Sequence, residues 1–167
     1  RIAYVSDFLD DPFNSPVRDR YQGYRQALAD AGIPFRPEYH RQAPHGRNEA
    51  RRMTVDLLDL EHPPTAIFAY SDTQAIGVLE VAQARGLSVP GDLSLIGYDN
   101  IEAAELMQLT TINQSLFQSG VRGSELILTR MKSVQKAPQE IVLPFELVIR
   151  RTTAPPADLK TQLKEVI

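Results

Sequence analysis

Two polar residues in this chain stand where a small ligand could be gripped, each just beyond an apolar run. Ser71 follows the run Thr65–Tyr70, and Asp99 follows Leu93–Gly97 with Tyr98 between. In open parallel sheets, ligands bind outside the carboxyl ends of the strands. Ser71 and Asp99 therefore fall where a ligand would lie. Arg18 and Arg20 sit near the start of a helical stretch, where the helix dipole disfavours cations. They are either two solvated arginines or a pair of which one points into the crevice and donates hydrogen bonds. Asp72 is read as structural, because capping and the helix dipole account for an acidic residue at a helix start.

The elements that must position these residues alternate. Ile2–Val5 reads as a strand ending in Ser6 and Asp7. Ser15 is placed as the cap of a helix with Pro16 at its first position and Val17, Tyr21, Tyr24 and Leu28 at helical spacing, stopped by Gly32. Phe35–Tyr39 is expected to be a strand, and an Asn48-capped helix carries Ala50, Met53, Leu57 and Leu60 on one stripe. Thr65–Tyr70, a short apolar run, suits a parallel strand covered on both faces. Ser71 and Gln74 have capping-box spacing before a helix that Gly86 stops. Leu93–Gly97 is the fourth strand. Strands alternating with helices across short turns predict a doubly wound α/β sheet. After Asn100 the pattern loosens: an extended piece at Thr110–Gln114, an amphipathic helix over Leu116–Lys132, a strand-rich stretch over Ile141–Arg150 and a short terminal helix suggested by Leu159, Leu163 and Val166.

Composition removes whole classes of function. The 167 residues carry a net charge of −3, which argues against this chain alone gripping nucleic acid through its phosphates. There is no cysteine, hence no thiolate metal site or thiol nucleophile. No apolar run approaches the roughly 18–20 residues that span a bilayer. His40, His45 and His62 lack ligand spacing, so no metal is expected. No glycine-rich nucleotide loop is present and nothing assembles a nucleophile with a base. A receiver-type phosphoryl acceptor would need a late-strand lysine, and the first lysine is Lys132. The chain is expected to be no enzyme and to need no cofactor.

Several strings occur together in one order: Gly23–Gly32 (GYRQALADAG), the helix start Asp72–Gly77, Gly86–Asn100 (GLSVPGDLSLIGYDN), Leu109–Gln114 (LTTINQ) and Leu143–Thr153 (LPFELVIRRTT). Together they resemble the effector-binding core of the lactose-repressor/galactose-repressor (LacI/GalR) transcription regulators, over roughly Arg1 to Thr153. The resemblance implies a Rossmann-like, type I periplasmic-binding-protein fold of two lobes, preceded in the family by a helix-turn-helix headpiece. By that resemblance residues 1–109 form the carboxyl-terminal lobe, 110–146 a crossover and helix belonging to the other lobe, 147–153 a return strand and 154–167 a tail.

Arg20 and Asp99 fall on the family's effector-contacting arginine and aspartate, a pairing able to clamp neighbouring hydroxyls of a sugar. Gln114 matches a residue lining the cleft. Ser71 stands where the family usually has Asn, and Leu116 where some members place an aromatic ring. The loop Asp7–Asn14 departs from the family as a longer, more acidic segment; it either favours a cationic effector or is simply solvated. His40 or Tyr39 could offer a stacking surface. The resemblance implies a cytoplasmic sensor of a sugar or other small polar effector that forms a homodimer through its core and meets DNA only via a headpiece outside this chain. No membrane partner is expected. A transport-type periplasmic solute-binding protein shares the fold and is the alternative.

Overall fold

A computed structural model describes residues 1–13, 15–132 and 138–156. Five parallel strands, β1 (Ile2–Ser6), β2 (His40–Gln42), β3 (Ala66–Ala69), β4 (Ser94–Tyr98) and β5 (Thr110–Asn113), are joined by one antiparallel strand, β6 (Glu146–Val148). Their order across the sheet is β2-β1-β3-β4-β5-β6. The helices are α1 (Ser15–Asp30), α2 (Arg47–Leu58), α3 (Asp72–Ala84), α4 (Glu102–Leu106) and α5 (Leu116–Met131). This is the α/β architecture that the alternation of elements predicts.

Strand residues point alternately to opposite faces, and here the two faces differ. Ala3, Val5, Ile67, Ala69 and Leu95 join Met53 and Leu57 of α2 and Ala75, Val78 and Ala82 of α3 in one fully buried core. Ile2, Tyr4 and Phe68 point the other way, toward Tyr24 and Leu28 of α1. The seam between α2 and α3 is close because it is built on small residues: a Cβ at Gly77 would strike the Arg47 carbonyl and crowd Ala50. Gly97 is needed for the same reason, since a side chain there would run into the Asp72 carboxylate.

Local details differ from the sequence expectations. The second strand forms at His40–Gln42, one step after the apolar run over 35–39, whose end is a single 3-10 turn at Pro37–Tyr39. Pro37 cannot donate to a ladder, and Tyr39 is buried from within the turn, its hydroxyl donating to the His62 carbonyl. Gly46, not Asn48, occupies the cap position of α2, with no side-chain cap. Ser15 is the first residue of α1 rather than its cap. Only Glu146–Val148 of the strand-rich end pairs, with β5. The terminal helix suggested by Leu159, Leu163 and Val166 lies outside the described residues.

Candidate functional site

The carboxyl ends of β1 to β5 form one rim, and on it Arg20, Asp99 and Gln114 come together. Arg20, in the second turn of α1, crosses to the end of β3, where Nη1 donates to the Tyr70 carbonyl at 2.7 Å. Its guanidinium lies between two rings that end neighbouring strands, 3.6 Å from the centre of Tyr98 and 4.4 Å from that of Tyr70. Such stacking favours a cation by roughly 0.5–2 kcal/mol and holds it flat. Nη2 stands 3.9 Å from Asp99 Oδ1. That is an ion-pair distance but too long for a hydrogen bond, so most of the guanidinium's N–H donors stay unspent. Arginine is therefore oriented by the fold while its recognition edge remains open.

Asp99 occupies a turn that side chains seldom enter, with φ of +117°, followed by Asn100 at +56°. Conformations of this kind cost on the order of 1–3 kcal/mol and persist only where the surroundings enforce them. The Asp99 amide donates to the Ile112 carbonyl at 2.9 Å. Arg150, just past β6, donates to Asn100 Oδ1 and to the Leu109 carbonyl, each at 2.8 Å. Gln114 Nε2, at the end of β5, donates to Asp99 Oδ1 at 2.6 Å. Burial pushes the Asp99 carboxyl above its ordinary pKa of 3.8, with Asp72 adding to the rise; Arg20, the Gln114 hydrogen bond and His45 pull against it.

Asp72, at the equivalent end of β3, is used differently. It is fully buried, Oδ1 accepting from the Thr111 hydroxyl at 2.6 Å and Oδ2 from the Ile101 amide at 3.0 Å. Desolvation raises its pKa, and those hydrogen bonds lower it in part. Ser71 is buried as well, and its hydroxyl accepts the Gln74 amide at 3.2 Å as a helix cap. The structure thus places Arg20, Asp99 and Gln114 in one cluster and gives the Ser71 hydroxyl to α3.

The reciprocal half of the capping box does not form. Gln74 is fully buried, and its Nε2 donates instead to Asp7 Oδ1, 67 residues away in sequence, at 2.8 Å. Asp7 also meets His45, whose Nδ1 lies 3.1 Å from both carboxylate oxygens. Asp7 is therefore not part of a solvated acidic loop. His40 is half-buried against Tyr21 and Tyr4, ring centres 4.5 and 5.6 Å apart, and Ser6 Oγ lies 3.0 Å from its Nε2. Burial, with Arg41 nearby, pushes its pKa from 6.5 down to about 4, so the ring is a neutral member of an aromatic cluster. Beneath it the Tyr4 hydroxyl is buried without a hydrogen-bond partner among the described residues, and burial raises its pKa far above the usual value.

Sequence reasoning missed the tyrosine sandwich, the Arg150 clamp and the Asp7–His45–Gln74 cluster. Tyr70 and Tyr98 carried a signal, since each immediately precedes a predicted site residue. Among the described residues no group of three or more His, Asp or Glu could hold a metal ion, and no helix is long and apolar enough to cross a membrane.

Comparison with known proteins gives this geometry a context. Residues 1–153 match the periplasmic binding protein-like domain family. The chain is 40% identical over 139 residues to the HTH-type transcriptional repressor PurR of Actinobacillus pleuropneumoniae serotype 3, covering 81% of this chain and 41% of that protein. It is 35% identical over 153 residues to the HTH-type transcriptional regulator DegA of Bacillus subtilis, covering 90% and 45%. A LacI family transcriptional regulator from Enterococcus faecium, solved with bound ribose, superposes with a TM-score of 0.84 at 32% identity, covering 93% of this chain and 57% of that one. The chain thus spans less than half the length of these curated relatives.

Proposed function

The chain belongs to the periplasmic-binding-protein-like family of LacI-type transcription regulators, and from that premise we propose that it supplies one wall of an effector crevice in such a regulator. The observation that carries this reading is the meeting of Arg20, Asp99 and Gln114 at the carboxyl ends of adjacent strands. An oriented guanidinium with open N–H groups beside a carboxylate can take two neighbouring hydroxyls at once, each donating to Asp99 and accepting from Arg20. A sugar carries such pairs, and ribose occupies the Enterococcus faecium relative. Ser71 acts on this wall from behind, by capping the helix that follows Tyr70.

Residues 1–109 form one lobe in this reading, and 110–146 reach toward the other, with 147–153 returning. In support, α5 buries none of its residues among those described, and Leu116, Phe117, Ile127, Leu128 and Met131 are exposed. Effector binding would bias the angle between lobes and so the spacing of two DNA-binding headpieces in a cytoplasmic homodimer, with differential contacts in two states. The exposed side of α3 and the segment over 102–109 are this lobe's share of that dimer, with Leu106 and Met107 as its exposed apolar points, whereas Leu109 is fully buried in the core. The relatives are transcription regulators rather than enzymes, and for the same reason the transport-type solute-binding reading is not favoured.

The test is Asp99→Ala in the full-length regulator. Effector affinity, measured by calorimetry with whichever sugar a thermal-shift screen identifies, should fall on the order of 100-fold, while operator binding in a gel-shift assay is retained. Unchanged effector release from DNA would remove the site assignment.

A further inference from the structure

We propose that Asp7, His45 and Gln74 form a second, acceptor-rich station of the same crevice, which admits uncharged hydroxyl-bearing effectors and turns away their phosphate esters. This rests on the sensor reading above and specifies its ligand. A carboxylate only accepts hydrogen bonds, so His45 Nδ1, 3.1 Å from both Asp7 oxygens, must carry the proton. In the neutral ring Nε2 then holds a lone pair, and it has no hydrogen-bond partner among the described residues. The side chain is 49% exposed, so that lone pair is within reach of a ligand.

Asp7 is itself held from below. The Gln74 amide nitrogen must face the carboxylate, which leaves its oxygen, fully buried, with no partner among the described residues. The fold thus tolerates an orphaned acceptor in order to fix Asp7, and through Asp7 the tautomer of His45.

The station adjoins the Arg20 cluster. Asp7 follows β1, His45 follows β2 and Tyr70 follows β3, all at the same rim of the sheet. His45 meets the Tyr70 ring edge-on at 6.2 Å, and Arg20 lies 4.4 Å from the centre of the same ring. A ligand seated at Arg20 and Asp99 therefore extends past Tyr70 toward His45. What it finds there is the Asp7 carboxylate, an anionic acceptor, and, where the His45 ring is neutral, a second acceptor in its Nε2. A sugar hydroxyl brings the donor these groups lack. A phosphate brings only further acceptors and negative charge, and Asp99 already offsets the charge of Arg20.

Calorimetric titration of the full-length protein with ribose, glucose and galactose, and with ribose 5-phosphate, glucose 6-phosphate and galactose 6-phosphate, tests this. At least one free sugar should bind, and its ester should bind at least ~10-fold more weakly. His45→Ala should weaken the sugar by about 10-fold and narrow the gap between sugar and ester, with His45→Gln, which restores an acceptor, recovering part of both. His45 is half exposed, so neither variant should change the melting temperature of the ligand-free protein. An ester binding as tightly as its parent sugar, no binding by any of the six compounds, or unchanged sugar affinity in His45→Ala would each overturn the proposal. Loss of binding in Arg20→Ala with no effect of His45→Ala would remove this station and leave the sensor reading standing. No effect of either would remove both.

Discussion

The two faces of the sheet are finished to different degrees. On the face under α2 and α3, Leu95, Ile67, Val5 and Ala69 are all but wholly buried; Gly77 lets the α2 backbone approach until no side chain would fit, and Gly97 leaves room for the Asp72 carboxylate. On the face under α1, Phe68, Ile96, Tyr98 and Ile112 stay partly exposed around a hollow of about 410 Å³. Two of the strand-end aspartates, Asp72 and Asp99, follow the same division. Asp72 is absorbed by the closed side through Thr111 and Ile101, whereas Asp99 is approached from the open side by Arg20. The lesson is a separation of duties: the dense face specifies the fold, and the Arg20–Asp99 pair is mounted along the looser one.

The sharpest way to break this contrast is a pair of truncations at neighbouring residues. Leu95→Ala should cost about 3 kcal/mol in urea unfolding, since a fully buried leucine leaves a cavity. Ile96→Ala, one residue along and half-buried on the open face, should cost about 1 kcal/mol. An equal loss at both would mean that the open face is covered in solution.

A smaller effect separates the faces by acidity. His40 belongs to the α1 side, and its folded pKa of about 4 lies below the ordinary 6.5. Between those values the unfolded chain binds the extra proton. The stability contributed by the neutral ring is therefore complete above pH 6.5 and lost as the pH falls toward 4. Discounted for partial exposure, the loss should be about 1–2 kcal/mol, read as a drop in urea midpoint that His40→Asn largely removes.

The smallest effect concerns Asp99. Its carboxyl is raised, chiefly by burial, so the folded state holds that proton more tightly than the unfolded chain does. The charged form therefore costs stability, a cost that grows as pH rises through the folded pKa and is complete above it. Asp99→Asn should melt slightly higher than the parent protein near neutrality, and the difference should vanish on acidification. A lower melting point at neutral pH would make Asp99 a structural residue rather than one kept for a ligand.

How much of this could be read beforehand depends on the range over which each residue acts. The strands β1, β3 and β4, and the helix α3 with its Ser71 cap, are set by local patterning and appear where that patterning puts them. Asp99 was legible as a residue closing a strand and Arg20 as one of two candidate arginines, while their pairing and Gln114 came through a resemblance, as residues of matching motifs. Gln74 shows where local reading stops. Its spacing from Ser71 has the form of a reciprocal cap, but a carboxylate 67 residues earlier in the chain holds its side chain more strongly. His45 and Asp7 are likewise 38 residues apart and meet only because β1 and β2 are neighbours in the sheet. The second strand moved for a nearer reason, since Pro37 has no N–H to offer.

Arg150 has a practical corollary for anyone trimming the gene. It sits beyond the last strand and would look expendable on a linear map. Yet its guanidinium bolts the bend carrying Asp99 to the neighbouring strand end, and Thr152 beside it ties back to Thr110 and Leu95. A shortened expression product must therefore run past Thr152, or the pocket it was made to study arrives with its hinge pin missing.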